Sequence, residues 1–180
     1  RFDVFVRDLQ NGTTERVSVA TGGAEGNDAS GFATISRSGR FVTFNSTATN
    51  LVAGDTNASE DIFSRDRQTG VTELVSLASG GAQGDSDSFG SSISDDGRLI
   101  AFTSGARNLI PGGTHGGYNV FVRDRLNAAT EIVGVTTAGA APSPLSYCTL
   151  GSISADGRAV VFKSENRDLV PGDSNGRTDM

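Results

Sequence analysis

Short apolar runs alternate with polar, glycine-containing turns along the whole chain, and this pattern recurs at a nearly constant spacing. Residues 35–44 (ISRSGRFVTF) return as residues 93–102 (ISDDGRLIAF) and as residues 153–162 (ISADGRAVVF), so the copies begin 58 and 60 residues apart. Self-similarity at such a period is typical of repeat proteins, in which each unit buries its apolar faces against its neighbours. The pattern therefore predicts an array of similar units.

A second motif keeps the same register as the first. Its copies begin 58 residues apart, at residues 4–8 (VFVRD), 62–66 (IFSRD) and 120–124 (VFVRD). We therefore interpret residues 1–180 as one repeat array. Its predicted repeats are residues 1–58, 59–116 and 117–176, followed by the start of a further repeat at 177–180.

Each repeat contains the signals of four strands. In residues 30–78 the pattern predicts strands at 32–36, 41–46, 61–67 and 72–77. The turn before the second strand holds Gly39, and the other copies of this turn read Asp-Asp-Gly-Arg and Ala-Asp-Gly-Arg. Asp-Gly between apolar runs is a strong hairpin signal, because glycine accepts the positive φ that such turns need. Gly70 marks a second hairpin.

The second and third strands of each repeat are nearly continuous in apolar character, as in FVTF, LIAF and VFV. A sheet with one wet face would alternate, so we expect these sheets to be covered on both faces. No segment keeps the apolar spacing of a helix. The pattern predicts an all-β fold, a β-propeller built from four-stranded antiparallel blades. A β-solenoid is the alternative, but its coils are usually shorter and lack two hairpin turns.

The repeats also predict which aromatic side chains are buried. Two sets of equivalent phenylalanines should lie between the blades, one in the second strands and one in the third strands. These sets are Phe44, Phe102 and Phe162, and Phe5, Phe63 and Phe121.

The array holds two complete blades, at about residues 30–77 and 88–135, and half-blades at residues 1–19 and 145–180. Propellers usually need four to eight blades to close, so these units form an open arc unless other strands complete it. Unpaired strand edges invite such strands. Three interpretations follow: further repeats of the same chain, two copies that close a six-bladed ring, and head-to-tail assembly of copies into a fibre.

The units Ile-Ser-x-x-Gly-Arg-x-x-x-Phe-x-Ser and Asp-x-Phe-x-Arg-Asp resemble the repeats of TolB-like propellers, which are WD40-like β-propeller repeats. That family has Ser-Pro-Asp-Gly-Lys/Arg before an Ile-Ala-Phe strand, and here Arg37, Asp95 and Ala155 stand in place of the proline. The resemblance covers the whole chain. It implies a periplasmic or extracellular binding scaffold, and some family members are non-catalytic lids on peptidases.

Charge narrows the class of partner. The net charge is −6, the pI is about 4.7 and Lys163 is the only lysine, so we predict no nucleic-acid partner. The apolar runs are too short for a membrane span.

Cys148 stands alone and is expected to be a small buried residue. Two sets of arginines recur once per repeat, and each is expected to pair with an Asp of its own repeat: Arg7, Arg65 and Arg123, and Arg40, Arg98 and Arg158.

The long connection before the third strand carries the best candidate for metal chemistry. Two of its copies read Asp-x-Asn-x-x-x-Asp, and calcium takes six to eight oxygen ligands of this kind. The candidate calcium ligands are Asp55, Asn57 and Asp61, and Asp173, Asn175 and Asp179. Asx-turns without an ion are the alternative interpretation. In the middle copy Gly113 and Asn119 replace both carboxylates, so no metal is expected there.

The sequence contains no recognisable catalytic motif. His115 is the only histidine, and the chain has no nucleophile elbow, paired-histidine zinc motif or phosphate-binding loop. We predict a non-enzymatic scaffold of an exported bacterial protein that binds a protein or glycan partner. The alternative is a building block of a ring or fibre made from copies of this chain. An enzyme, such as a propeller-type polysaccharide lyase, would need catalytic residues from outside these 180.

Overall fold

The computed structural model describes residues 1–114, 116–139, 147–166 and 168–172, and every regular element in these ranges is a β-strand. The strands are β1 (Phe5–Asp8), β2 (Thr13–Arg16), β3 (Ser30–Ile35), β4 (Phe41–Ser46), β5 (Asp61–Asp66), β6 (Val71–Leu74), β7 (Ser88–Ile93), β8 (Leu99–Ser104), β9 (Asn119–Asp124), β10 (Ala129–Ile132), β11 (Cys148–Ile153) and β12 (Val160–Ser164). The described residues contain no helix that is long and apolar enough to cross a membrane.

The strands form four antiparallel sheets in the order of the chain. Strands β3 to β6 make one four-stranded sheet, here named blade 1, and strands β7 to β10 make another, blade 2. Strands β1 and β2 form the N-terminal half-blade, and strands β11 and β12 form the C-terminal half-blade. This arrangement confirms the predicted all-β architecture of two complete blades and two half-blades, left as an open arc.

The strand limits differ from the sequence pattern at the outer ends of blade 1. Strand β3 begins at Ser30, two residues earlier than predicted, and β6 ends at Leu74. The pairing of β3 with β4 shifts between Gly31 and Thr34, where a bulge inserts extra residues. A bulge breaks the two-residue alternation of a strand, so the periodicity alone did not locate this start.

The core lies between adjacent sheets and is built from the doubly apolar strands. Phe44 of β4 stacks on Phe63 of β5 with ring centroids 5.9 Å apart, and Phe102 stacks on Phe121 in the same way at 5.8 Å. All four rings are completely buried. The structure confirms the predicted equivalence of these phenylalanines in the two complete blades.

The prediction was wrong for Phe5, and Phe162 is only partly buried. The Phe5 side chain is 55% exposed, whereas its equivalents Phe63 and Phe121 are fully buried. Phe162 is intermediate in exposure. The reason is the missing neighbour: Phe63 is covered by Phe44 on the adjacent strand, and strand β1 has no such strand beside it. Periodicity identifies equivalent positions but assumes that every position has equivalent surroundings.

Blade 2 and the C-terminal half-blade each pack their first strand against the preceding sheet. Strand β7 contacts β3, β4 and β5, and β11 makes the equivalent contacts with β7, β8 and β9. The turn before the second strand presses on the preceding blade, because a Cβ on Gly97 would lie 2.0 Å from Phe41 and a Cβ on Gly157 would lie 2.6 Å from Leu99. Glycine at this turn thus permits close contact between blades as well as a positive φ.

The recurring arginines have two different roles. Arg40 binds Asp66 through two hydrogen bonds, from Nε at 2.9 Å and from Nη2 at 2.6 Å, and Arg98 binds Asp124 in the same way. These pairs confirm the expected Arg–Asp contact, which lies within one blade and joins residues of two consecutive repeats. The expectation was wrong for Arg65 of the second set. Its Nη1 atom donates to the carbonyl oxygens of Ala20 and Gly70 and to the Thr72 hydroxyl.

Arg65 and Arg123 therefore connect neighbouring sheets instead of pairing with a carboxylate. The Nη1 atom of Arg123 donates to the carbonyl oxygens of Ala78 and Ala128 and to the Thr130 hydroxyl. Burial lowers the pKa of the Arg123 guanidinium. The carbonyl oxygens accept hydrogen bonds from the Arg123 guanidinium. Among the described residues, no carboxylate lies within hydrogen-bond distance of this guanidinium.

Acid should weaken the Arg40–Asp66 pair in a way that can be measured. Hydrogen bonds from Arg40 hold the pKa of the Asp66 carboxyl well below its ordinary value of 3.8. A lowered folded-state pKa means that the pair stabilises the fold above pH 4 and that this contribution is lost as the pH falls below that value. In urea unfolding, Asp66→Asn should be less stable than the parent at pH 7, and the difference should shrink toward pH 2. The equivalent Asp124→Asn should behave alike; a difference independent of pH would contradict this.

Cys148 lies where the sequence placed it, buried at the start of β11. Its Sγ lies 3.1 Å from the Ser164 hydroxyl, and burial raises the pKa of the thiol. A raised pKa keeps the thiol protonated at neutral pH, which is typical of a structural cysteine.

Candidate functional site: the half-blade edges and the acidic loop

Two regions of the molecule have features that the repeated core does not explain. The first is the pair of unpaired strand edges at the half-blades. The second is the acidic loop, defined here as residues 55–61 before β5. Each is described in turn from its side chains.

The N-terminal half-blade presents one free edge. Strand β1 pairs with β2 only, so its other side has no hydrogen-bonded neighbour among the described strands. At the end of β1, Asp8 accepts hydrogen bonds from the backbone N–H groups of Gln10 and Asn11, at 2.8 and 2.9 Å. These bonds and the Asn11 side chain lower the pKa of the Asp8 carboxyl. No described arginine forms the two-bonded contact with Asp8 that Asp66 and Asp124 receive.

The C-terminal half-blade presents the complementary free edge. Among the strands that the structure describes, β12 pairs with β11 only, whereas its equivalents β4 and β8 each pair with strands on both sides. Val161 is 57% exposed, although Thr43 and Ala101 at the same position are completely buried. The guanidinium of Arg158, the equivalent of Arg40 and Arg98, pairs with no carboxylate within the described ranges, and its backbone N–H donates to Asp156 at 3.1 Å.

The first region also includes an exposed surface beside the N-terminal half-blade, on strand β3. Ile35 is 49% exposed there, whereas the equivalent Ile93 and Ile153 are buried. Phe32 is also highly exposed and has a φ of 43°, in the region that disfavours side chains; its equivalent in blade 2 is Gly90. Ile35 is exposed because the strands that would cover it belong to a preceding blade, of which only β1 and β2 are present.

The acidic loop brings two of its predicted ligands together through a residue from elsewhere. The Nε2 atom of Gln83 donates to Oδ1 of Asp55 at 2.9 Å and to Oδ2 of Asp61 at 3.0 Å. Ser76 donates to the other oxygen of Asp61 at 2.5 Å. The two carboxylates are thus linked by a neutral amide, which satisfies both with hydrogen bonds.

Asn57 forms an Asx-turn in this loop. Its Oδ1 accepts a hydrogen bond from the Ser59 backbone N–H at 2.9 Å, and its Nδ2 donates to the Gly84 carbonyl at 2.8 Å. The metal-free interpretation includes this Asx-turn, and the amide oxygen keeps a second lone pair after accepting the Ser59 N–H. Calcium coordination by all three residues would require Gln83 to move away from the carboxylates.

Burial governs the protonation of Asp61. Desolvation raises the pKa of its carboxyl, hydrogen bonds from Ser76 and Asn57 lower it, and the nearby Asp55 charge raises it. A raised folded-state pKa means that the ionised form costs stability, and that this cost appears as the pH rises above the ordinary value of 3.8. A cation or a hydrogen-bond donor between the two carboxylates reduces this cost.

The copies of this site show how each repeat neutralises its acids. In the first repeat Glu25 takes the place of Gln83, and Arg16 lies 2.7 Å from Glu25 and 3.8 Å from Asp3. In blade 2 the carboxylate is replaced by Asn119. Sequence reasoning missed Gln83. Alignment of the repeats offers a signal for it, because Asp3 and Asp61 are equivalent positions and the residue 22 positions later changes from Glu25 to Gln83.

The remaining predicted ligands, Asp173, Asn175 and Asp179, lie outside the described residues, as does His115. Among the residues that the structure describes, no three His, Cys, Asp or Glu side chains are grouped in a way that could hold a metal ion. The hydroxyl–carboxylate contacts that are present recur by repeat: Ser18 with Asp3 and Ser76 with Asp61. Their recurrence is typical of a structural contact.

Comparison with solved structures identifies the fold. No protein-family model and no curated protein matches the sequence. TolB from Acinetobacter baumannii is similar at a TM-score of 0.53 and 20% identity, over 93% of this chain and 35% of that chain. Tricorn protease is similar at a TM-score of 0.54 and 16% identity, over 88% of this chain and 12% of that chain. A structure of prolyl endopeptidase has a TM-score of 0.53 and 14% identity, over 90% of this chain and 22% of that chain.

These similarities show that the chain has the TolB-like propeller fold that its motifs predicted. The chain spans about a third of the TolB structure and less of the two peptidases. Identities of this size report the fold and not the function, since one fold hosts many functions. The protease activity belongs to the named peptidases.

Proposed function

We propose that this protein is a non-enzymatic propeller scaffold of an exported bacterial protein, periplasmic or extracellular, that binds polypeptide strands through its half-blade edges. The repeated charged residues support a structural and not a catalytic role, because the two-bonded Arg–Asp pair occurs in both complete blades and the Ser–Asp contact occurs twice among the described residues. The edges of β1 and β12 supply the binding surface.

One observation carries this proposal: strands β1 and β12 each have one edge with no neighbour in the described part of the chain, next to exposed Phe5 and Val161. A free edge offers a row of backbone N–H and C=O groups, and strand addition is a common mode of peptide recognition. The exposed apolar side chains add contact area that a neighbouring strand would cover. Further repeats of the same chain, another copy, or a separate protein could supply that strand.

A peptide probe tests this proposal on the whole chain. A synthetic peptide of residues 1–19, which contains both strands of the N-terminal half-blade, should bind beside β12. Amide hydrogen exchange in residues 160–164 should slow when the peptide is added, because strand pairing protects backbone N–H groups. A scrambled peptide of the same composition is the control. Unchanged exchange in β12 with either peptide would contradict the proposal.

Calcium binding at Asp55, Asn57 and Asp61 stays a prediction of the sequence, and it has a direct test. A ligand that binds only the folded state stabilises it by about 2.7 kcal/mol at a concentration 100 times its Kd. Calcium should therefore raise the melting temperature of the parent, and Asp55→Ala should remove the gain at this loop. His115→Ala is the matched control and should keep it. Calorimetry without binding at millimolar calcium would favour the Asx-turn interpretation.

A further inference from the structure

We infer that a groove between the two complete blades binds the carboxylate of an extended acidic peptide through the Nε and Nη2 atoms of Arg123. The groove is a cavity of about 670 Å³, here named the Arg123 groove, and the residues that line it belong to blades 1 and 2 and their connections. It is separate from the half-blade edges, and the inference does not rest on the proposed function.

Three kinds of surface line the Arg123 groove. Residues 72–75, which include the end of β6, form one side. Val52 and Leu77 supply apolar side chains from the connections that flank β5 and β6, and Arg123 and Arg125 of blade 2 supply two guanidinium groups. The groove therefore combines a strand edge, apolar contacts and positive charge.

Arg123 has two donors that the fold does not use. Its side chain is buried, with only 7% of the residue exposed. All its side-chain hydrogen bonds come from Nη1, which donates to Ala78, Ala128 and Thr130. In the described part of the chain Nε and Nη2 have no acceptor, and neither is among the fully enclosed polar atoms that lack a partner. Both atoms are therefore accessible from the groove that Arg123 lines.

The protein itself shows which group suits these two donors. Arg40 and Arg98 each use Nε and Nη2 to hold both oxygens of one carboxylate, at distances from 2.6 to 3.0 Å. A planar carboxylate matches the two parallel N–H groups of the guanidinium. We therefore expect the same side-on contact between Arg123 and a carboxylate that a ligand brings.

The charge balance of the groove leaves Arg123 as the cation to be paired. Glu73 forms an ion pair with Arg125, and Asp124, the neighbour of Arg123 in the chain, is held by Arg98. Burial lowers the pKa of the Arg123 guanidinium. A ligand carboxylate beside Nε and Nη2 would offset that desolvation cost, because a buried charge is stabilised by a hydrogen-bonded partner of opposite sign.

The edge of β6 makes an extended peptide the expected carrier of this carboxylate. The Val75 N–H donates to the Ile62 carbonyl, so the alternation of an antiparallel ladder turns the N–H and C=O of Thr72 and Leu74 away from β5. The Thr21 hydroxyl binds both of these groups of Thr72. Those of Leu74 have no partner within the described ranges, and Leu74 lines the groove. An extended peptide can pair with them by strand addition.

Arg65 is the equivalent of Arg123 in blade 1 and differs in its surroundings. Its Nη1 atom makes the same three kinds of hydrogen bond, but Arg65 does not line the Arg123 groove. Gln83 lines the groove, and the position equivalent to Gln83 in the first repeat is Glu25. A neutral amide tolerates a ligand carboxylate, whereas a second carboxylate repels it. Arg65 therefore offers a matched control.

Calorimetric titration of the full chain with a blocked pentapeptide tests the ligand class. The probe is Thr-Val-Glu-Val-Thr, acetylated and amidated so that its glutamate is the only carboxylate, and it should bind. Its glutamine analogue should bind about 10-fold or more weakly, because it loses the charge-assisted pair with Arg123. Acetate and inorganic phosphate are the small-anion probes, and both should bind more weakly than the peptide since neither reaches the strand edge.

Conservative variants test the residue. Arg123→Lys keeps the positive charge but removes the two parallel donors, so the dissociation constant of the glutamate peptide should rise about 10-fold or more. Arg65→Lys loses the same kind of contact between sheets and should leave that constant unchanged. Thermal melting establishes that each variant is folded, and the comparison of the two peptides on the parent holds even where a variant is not.

Amide hydrogen exchange locates the bound peptide. Exchange in residues 71–75 should slow when the glutamate peptide is added, because pairing with Leu74 protects the strand edge. Equal affinity for the two peptides, or an Arg123→Lys variant that binds like the parent, would overturn the inference. Binding of acetate or phosphate without binding of the peptide would also overturn it.

The same measurement separates this inference from the proposed function. If the pentapeptide protects residues 160–164 instead of 71–75, the Arg123 groove is not its site and the binding of strands at the half-blade edge stands. If the pentapeptide protects residues 71–75 while the residue 1–19 peptide leaves β12 unprotected, this inference stands and the proposed function is wrong.

Discussion

Replacing Phe102 with alanine is expected to lower the free energy of unfolding by about 3–5 kcal/mol, a large effect for the truncation of a single side chain. The Phe102 ring is completely buried and stacks on Phe121. Its removal loses the transfer free energy of the ring and leaves a cavity that surrounding strands fill only in part. Urea unfolding followed by circular dichroism measures the change.

Phe5→Ala is the matched control for this measurement. The two phenylalanines occupy the same kind of position in the repeat pattern, but Phe5 is more than half exposed. Its truncation should cost well under half as much as Phe102→Ala. An equal loss for both variants would show that burial in the complete blades does not set the cost.

Gly97→Ala is expected to destabilise the protein by about 2–5 kcal/mol, from a strained backbone and from overpacking together. Gly97 has a φ of 76°, and its added methyl group would lie 2.0 Å from a ring carbon of Phe41 on the preceding blade. The ring is held in place by Arg40 and Arg125, whose guanidinium carbons lie 4.7 and 4.5 Å from its centroid. The blades must therefore separate to admit the methyl group.

Gly39→Ala separates these two causes. Gly39 occupies the same turn with a φ of 72°, but the nearest atom to an added Cβ is the end of the flexible Arg67 side chain at 3.4 Å. Only the backbone strain remains, so the loss should be about 1–2 kcal/mol. Thermal melting of both variants at low protein concentration makes the comparison. Equal losses would mean that contact between blades contributes nothing at Gly97.

The properties that the sequence determined are those that depend on local chemistry and repetition. The Asp-Gly turns place the hairpins, and the doubly apolar strands require a neighbour on both faces. The repeat spacing makes Phe44 and Phe102 equivalent, and the structure confirms each of these points. Such features need only nearby residues and one neighbouring copy of the same unit, so they can be derived from one chain.

Periodicity was not sufficient where neighbours differ or where the partner is distant in sequence. Phe5 shares the motif of Phe63, but it has no strand beside it and is exposed. The Arg65 motif predicted an aspartate partner, and the tertiary structure instead brings the Ala20 carbonyl from the preceding sheet within reach.

The acidic loop shows the same division between sequence and structure. Its spacing brought Asp55, Asn57 and Asp61 to attention, but only the packing of one loop on another placed Gln83 between the two carboxylates. Hydrogen-bond partners and exposure are set by which surfaces meet. The sequence alone determined the kind of blade, and the tertiary structure decided which copies of each repeated position are buried, bridged or left open to a partner.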